Sequence, residues 1–140
     1  MPKQRFRPKF DRLYWISFTV CAVYIAVMTA VSVGSVSMLC FMSAINAILI
    51  GVLAAPWFGY VELGEDAVLV KFGFLLKRVV PYADIRKMQK VRHWYSESIL
   101  ALKNAMEHVD IRYGACDVVS VSVTDNDALI AAIERRLRKE

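Results

Sequence analysis

Hydrophobic and polar positions divide the chain into two stretches with different periodicities. From Leu13 through Val61, 49 consecutive positions, no residue is charged. A helix crossing a bilayer core of about 30 Å needs about 20 apolar residues. The run is too long for one span and suits two, joined at Gly34-Ser35-Val36-Ser37. This predicts helices near 13–33 and 38–58, with residues 13–59 forming a hairpin. It also exceeds the apolar core of a secretory signal, roughly 7–15 residues.

Beyond the run, apolar residues recur with a period of two, which marks half-buried strands. Tyr60–Leu63 predicts a first strand and Gly64-Glu65-Asp66 a turn. Val68, Val70 and Phe72 then alternate with Leu69 and Lys71 up to Gly73. Strands follow at Leu75–Val80 and Ile85–His93. Trp94 to Met106 fits neither period. Val109, Ile111 and Tyr113 alternate with His108, Asp110 and Arg112. After a turn at Tyr113-Gly114-Ala115, Val119, Val121 and Val123 alternate with serines. Thr124 and Asp127 have capping-box spacing, and Leu129, Ala132, Ile133 and Leu137 line one face of a terminal helix. The expected fold is a helical hairpin followed, at residues 60–140, by a bent antiparallel sheet of about six strands with a C-terminal helix, an α+β domain.

Composition sharpens this picture. The chain has 140 residues, 57% of them hydrophobic, with a mean hydropathy of +0.41. Such values exclude a wholly soluble domain, a disordered chain and a disulfide scaffold. Residues 1–12 form a basic N-terminus, with Lys3, Arg5, Arg7, Lys9 and Arg12 against Asp11. Residues 71–92 hold seven Lys or Arg against Asp84, while the turn between the predicted spans has no charge. The positive-inside rule then places both termini in the cytoplasm, with Tyr14, Trp15, Trp57, Phe58 and Tyr60 as an interfacial aromatic belt. The expected location is a bacterial inner membrane, multi-pass.

Small residues recur every four positions in both spans. Ala22, Ala26, Ala30 and Gly34 form one stripe, and Ser43, Ala47, Gly51, Ala55 and Gly59 form another. Such stripes allow close backbone approach. The simpler expectation is that they face each other within the hairpin; the alternative is that one docks a membrane partner or a second copy. Asn46, the most polar residue of the spans, is expected to hydrogen-bond inside the hairpin.

Motifs for chemistry are sparse. Cys21, Cys40 and Cys116 lack CxxC spacing, and His93 and His108 have no second ligand pair nearby. No nucleophile elbow, phosphate-cradling loop or dinucleotide fingerprint occurs. Glu97, Glu107 and Asp110 are the acids that could converge, but their spacing does not require it. The expectation is a protein that is not an enzyme and uses no cofactor or metal.

Two surfaces stand out instead. Lys71, Lys77, Arg78, Arg86, Lys90 and Arg92 form a basic cluster. If 85–93 is extended, Arg86, Lys90 and Arg92 share one face with Met88 between them. That face suits anionic lipid, at roughly 1 kcal/mol per basic residue near the surface, or it only obeys the positive-inside rule. Trp94 and Tyr95 lie in an irregular stretch suited to protein contact or to covering an open sheet edge.

Tyr60, Leu69-Val70-Lys71-Phe72-Gly73, Val80-Pro81 and Ile85 resemble the bacterial pleckstrin-homology-like domains carried on a two-helix membrane anchor. Ala101-Leu102, Val109-Asp110-Ile111 and Tyr113-Gly114 continue the resemblance in order, over roughly residues 60–137. Lys103 and Val123-Thr124 depart from the family pattern. The resemblance implies the fold and carries no activity with it. The resulting expectation is an accessory subunit or adaptor with a docking module, its partners the membrane and another membrane protein or itself. The alternative is a sensor of anionic headgroups. The charge follows the membrane flank, so nucleic acid is not expected.

Overall fold

The computed structural model describes residues 3–74, 76–95, 101–102 and 105–138. Helix α1 runs Arg12–Ser32 and α2 runs Val36–Ala54. A 3-10 turn at Ala55–Phe58, started by Pro56, follows α2. Asp11 caps α1, its Oδ1 accepting from Leu13 N at 2.9 Å, and Ser35 caps α2. Both helices are long and apolar enough to cross a membrane.

The hairpin packs differently from the simpler expectation. The less exposed positions include Tyr14, Phe18, Cys21, Ile25, Met28 and Ser32 on α1, and Leu39, Met42, Asn46, Leu49 and Leu53 on α2, where Ile45, Gly51 and Ala54 are also partly buried. The first-named residues of each helix are spaced alternately by three and four, as in a heptad seam. Ala22, Ala26, Ala30, Gly34, Ser43 and Ala47 are exposed, so the small-residue stripes do not face each other. Large side chains on the adjoining face seal the hairpin, and this turns the small residues outward. Asn46 does bond within it, Nδ2 donating to Thr29 Oγ1 at 3.2 Å.

Among the described residues, the rest of the chain forms two four-stranded sheets rather than one sheet of about six strands. The first orders β1 (Gln4–Phe6), β2 (Tyr60–Leu63), β3 (Ala67–Lys71) and β4 (Lys77–Pro81), all antiparallel. The second contains β5 (Ile85–Arg92), β6 (Ala101–Leu102), β7 (Glu107–Tyr113) and β8 (Asp117–Val121), in the order β5-β7-β8-β6. The chain changes sheet at Pro81, which lacks the N–H needed to extend a ladder. There Tyr82, 1% exposed, turns into the core and donates from Oη to Gly64 O at 3.2 Å. The expected strand 75–80 begins two residues later; Leu75 lies outside the described residues. Strand β6, two residues parallel to β8, sits in the stretch where no period was readable; two residues cannot show one.

Helix α3 (Asn126–Leu137) closes the domain. Its cap is Asp125, which accepts from Ala128 N at 2.9 Å, and not Thr124. Thr124 instead pairs its N–H with Arg7 O at 3.1 Å. Leu129 and Ile133 are fully buried against Val61, Val70, Ile111 and Val121. Each gains about 2 kcal/mol on leaving water. Arg136, 7% exposed, donates to Gly64 O and to Tyr82 Oη, pinning α3 to the β2–β3 turn.

The basic N-terminus, predicted only as a flank, is part of this fold. Gln4, Arg5 and Phe6 pair with Leu63, Glu62 and Val61. Lys9 N donates to Ser122 O at 3.0 Å, and Pro8 bridges Val123. Residues 4–9 therefore strap the first sheet to the end of the second. At the other attachment, Gly73 (φ +121°) lies against Ala55, where an added Cβ would meet Ala55 Cβ at 2.9 Å. We expect Gly73→Ala to destabilise the protein by about 1–3 kcal/mol in thermal unfolding of the full chain. Adding Ala55→Gly should recover the steric part of that loss and leave the backbone part.

Candidate functional site

Described side chains converge where the helices meet the sheets. Phe10 packs on Tyr14 (ring centroids 4.7 Å), Phe18 stacks on Trp57 (6.4 Å), and Phe58 meets Phe74 of the β3–β4 loop (4.6 Å). Trp15, Trp57, Phe58 and Phe74 are about half exposed, whereas Tyr14 is buried. Tyr14 Oη donates to Leu53 O at 2.7 Å, near the end of α2 where Pro56 interrupts the helical ladder. These rings cluster at one end of the hairpin, and Tyr14 is a structural member of the cluster.

The N-terminal strap brings cations to this junction. Arg5 lies 4.7 Å from the Tyr60 ring centroid and Lys71 lies 5.6 Å from it. Arg5 Nε donates to Glu62 Oε2 at 2.5 Å, and this bond, then the Glu62 charge, holds its guanidinium above the ordinary value. Arg5, Arg7, Phe10, Trp57, Phe58 and Tyr60 line a cleft of about 560 Å³. Sequence reading missed Arg5 and Arg7 as site residues, because nothing local shows that a segment 54 residues before Tyr60 pairs beside it.

The expected basic face is broken up. A bulge between Ile85 and Lys87 inserts Arg86 into the ladder, so it falls out of register with Lys90 and Arg92. Lys90 Nζ is 3.0 Å from both Glu107 Oε1 and Asp127 Oδ2. Arg78 pairs with Asp117 at 3.9 Å and lies 5.6 Å from the Tyr113 ring centroid. Lys77, Arg86 and Arg92 are exposed. Because β5 edges its sheet, its cations also serve to deter edge-to-edge pairing.

Trp94 is 76% exposed and Tyr95 50% exposed. Trp94 lines a second cleft, about 330 Å³, beside Leu13, Ser17, Val52 and Ala105. It stands beside the ends of both helices. Tyr95 stacks on His93 at 5.0 Å.

A third cluster is buried. Ser120 Oγ donates to Asp110 Oδ1 at 2.5 Å, His108 Nε2 lies 3.3 Å from the same oxygen, and His108 Nδ1 is 3.1 Å from Met106 O. Asp110 stands between serine and histidine, so Ser120 bonds the carboxylate and not the imidazole, and His108, Asp110 and Ser120 are all at most 5% exposed. These contacts tie β7 to β8. Glu107 is engaged by Lys90, and Glu97 lies outside the described residues. Among the described residues no three His, Cys, Asp or Glu side chains group as metal ligands would. Cys21 is partly buried in the seam; Cys40 and Cys116 are exposed.

Two sheets closed by a C-terminal helix fix the fold, and a family model for the bacterial PH domain matches residues 60–137. The chain belongs to the bacterial PH domain family. The match covers 78 of its 140 residues, whereas the cleft draws all but one of the six residues named above from outside it. No curated protein and no solved structure matches the chain. Within the PH domain, β1 supplies an edge strand from in front of the helices, outside the family match.

Two outcomes follow. Replacing Asp110 by Ala strips His108 and Ser120 of a shared buried acceptor and should cost about 2–4 kcal/mol by denaturant unfolding, against about 1 kcal/mol for Ser120→Ala. Lys90, through its hydrogen bond first, holds the Glu107 carboxyl below the usual range, and Asp127 and then Glu107 hold the Lys90 ammonium above its own. A lowered acid stabilises the fold above the ordinary carboxylate range and stops doing so as pH falls through its folded value; a raised lysine stabilises below the ordinary lysine range and stops as pH rises through its folded value. In Lys90→Gln, carboxyl NMR should show Glu107 titrating higher, and the small stability gap to wild type should close as pH falls below the carboxylate range.

Proposed function

We propose that this protein is a non-enzymatic membrane docking module, an accessory subunit or adaptor whose PH domain is held at the surface of a bacterial inner membrane. The observation that carries this reading is the double attachment of the domain. Residues 4–9 pair into it ahead of α1, and Tyr60 enters it directly after α2. Both flanks of the hairpin therefore lie on one side. With basic flanks at both ends and an uncharged turn between the helices, that side is the cytoplasm. The hairpin surface supports a lipid setting, since Val31, Val36, Ile48 and Val52 are each more than 60% exposed, far beyond what a soluble monomer presents as a continuous belt.

A domain fixed at two points presents its surfaces at a set height and angle, which suits docking better than diffusive capture. The outward small-residue stripes give the hairpin a surface for a membrane partner or a second copy. Recognition of headgroups by the β5 face has less support, because Lys90 and Arg78 are spent on internal ion pairs and the bulge displaces Arg86.

The test is purification of the full chain in native nanodiscs followed by mass spectrometry. A membrane protein at stoichiometric abundance, or a defined oligomer, is expected. Gly51→Leu should lose it, since a Cβ at Gly51 meets nothing within 4 Å in the monomer and the hairpin accommodates the change. A chain that is monomeric and partner-free in both forms overturns the reading.

A further inference from the structure

We infer that the cleft between the N-terminal strap and the end of α2 binds the headgroup phosphate of an anionic phospholipid, with Arg7 as its principal cation. The inference rests on the reading that α1 and α2 span a membrane, and it goes beyond docking.

The geometry supplies three requirements of such a site. The first is a fixed, uncommitted cation. Arg7 is anchored by its backbone, its carbonyl accepting from Thr124 N at 3.1 Å, while its side chain makes no ion pair among the described residues. Arg5, by contrast, is committed to Glu62 and to the Tyr60 ring. An unpaired guanidinium takes phosphate through parallel N–H donors.

The second requirement is shape. About 560 Å³ lies beside both arginines and the rings of Phe10, Trp57 and Phe58, which offers room for a phosphate with its glycerol. The third is depth. Phe10 lies two residues before α1 begins, and Trp57 and Phe58 occupy the turn that ends α2. The cleft therefore opens where the apolar helices stop, so the hydrocarbon of a ligand has a surface to follow. Trp and the other aromatic rings favour that interfacial zone. A soluble phosphate would use the arginine and leave the rings without a role.

The experiment is native mass spectrometry of the full chain in nanodiscs of phosphatidylglycerol and phosphatidylcholine, counting lipid retained after gentle release. Wild type should retain phosphatidylglycerol selectively. Arg7→Gln should retain about tenfold less, the equivalent of one charge-assisted bond, while Arg7→Lys keeps part of it. The strap uses the Arg7 carbonyl, so the thermal midpoint of Arg7→Gln should match wild type. Arg86→Gln with Arg92→Gln should retain lipid normally. Undiminished retention in Arg7→Gln, or loss confined to the β5 pair, overturns the proposal. So does displacement of bound lipid by millimolar glycerol phosphate, which would mark a soluble-phosphate site. Failure of the chain to enter nanodiscs at all overturns the membrane reading itself and is scored separately by carbonate extraction.

Discussion

The backbone pairing of residues 4–9 is the constraint on which the architecture depends. Two sheets that share one core leave exposed edges, and unpaired edges invite association with other chains. Here β1 covers the β2 edge, while Lys9 and Arg7 bond the strand end at Ser122 to Thr124. The same few residues lead into Asp11, whose carboxylate caps α1 through one oxygen and accepts from Met106 N at 2.8 Å through the other. One short segment thus closes the domain, starts the first helix and fixes the angle between them.

The second attachment works by contact. The β3–β4 loop reaches the turn after α2 only because Gly73 has no side chain and can hold a positive φ, bringing its backbone against Ala55. Phe74 then lies over Phe58. Ala55 and Gly59, read as the end of a membrane-packing stripe, are absorbed into this junction; Gly59 is buried. The outward stripe on α2 is correspondingly shorter than its sequence period.

Much of the fold was legible because its signals are local. Alternation at Val68–Val70, Val109–Tyr113 and Val119–Val123 named residues that are indeed core, and Gly64 and Gly114 sit in the turns expected of them. The capping residue was misplaced by one position because Thr124 and Asp125 both have capping side chains, and strap pairing decides between them. What stayed hidden is long-range. Gln4–Phe6 is too short and too polar to announce a strand, and its partner lies beyond both helices. The break in the basic face was hidden for a related reason: a bulge at Arg86 leaves no mark in hydropathy, and the acids that engage Lys90 come from β7 and α3. The cleft could be read only after the strap had been placed, since Arg5 and Arg7 look like ordinary flanking cations.

The strap also has a consequence for the order of assembly. Arg7 and Thr124, which it joins, are 117 positions apart. Contacts of such separation close late and slow the folding of a small domain. During synthesis the strap precedes the partners it meets at Ser122 and Thr124, so the β2 edge stays open until both helices and both sheets are in place. Under the proposed membrane reading, a first helix inserted in the opposite sense would strand the strap across the bilayer from its partners and leave the domain with an unsealed edge.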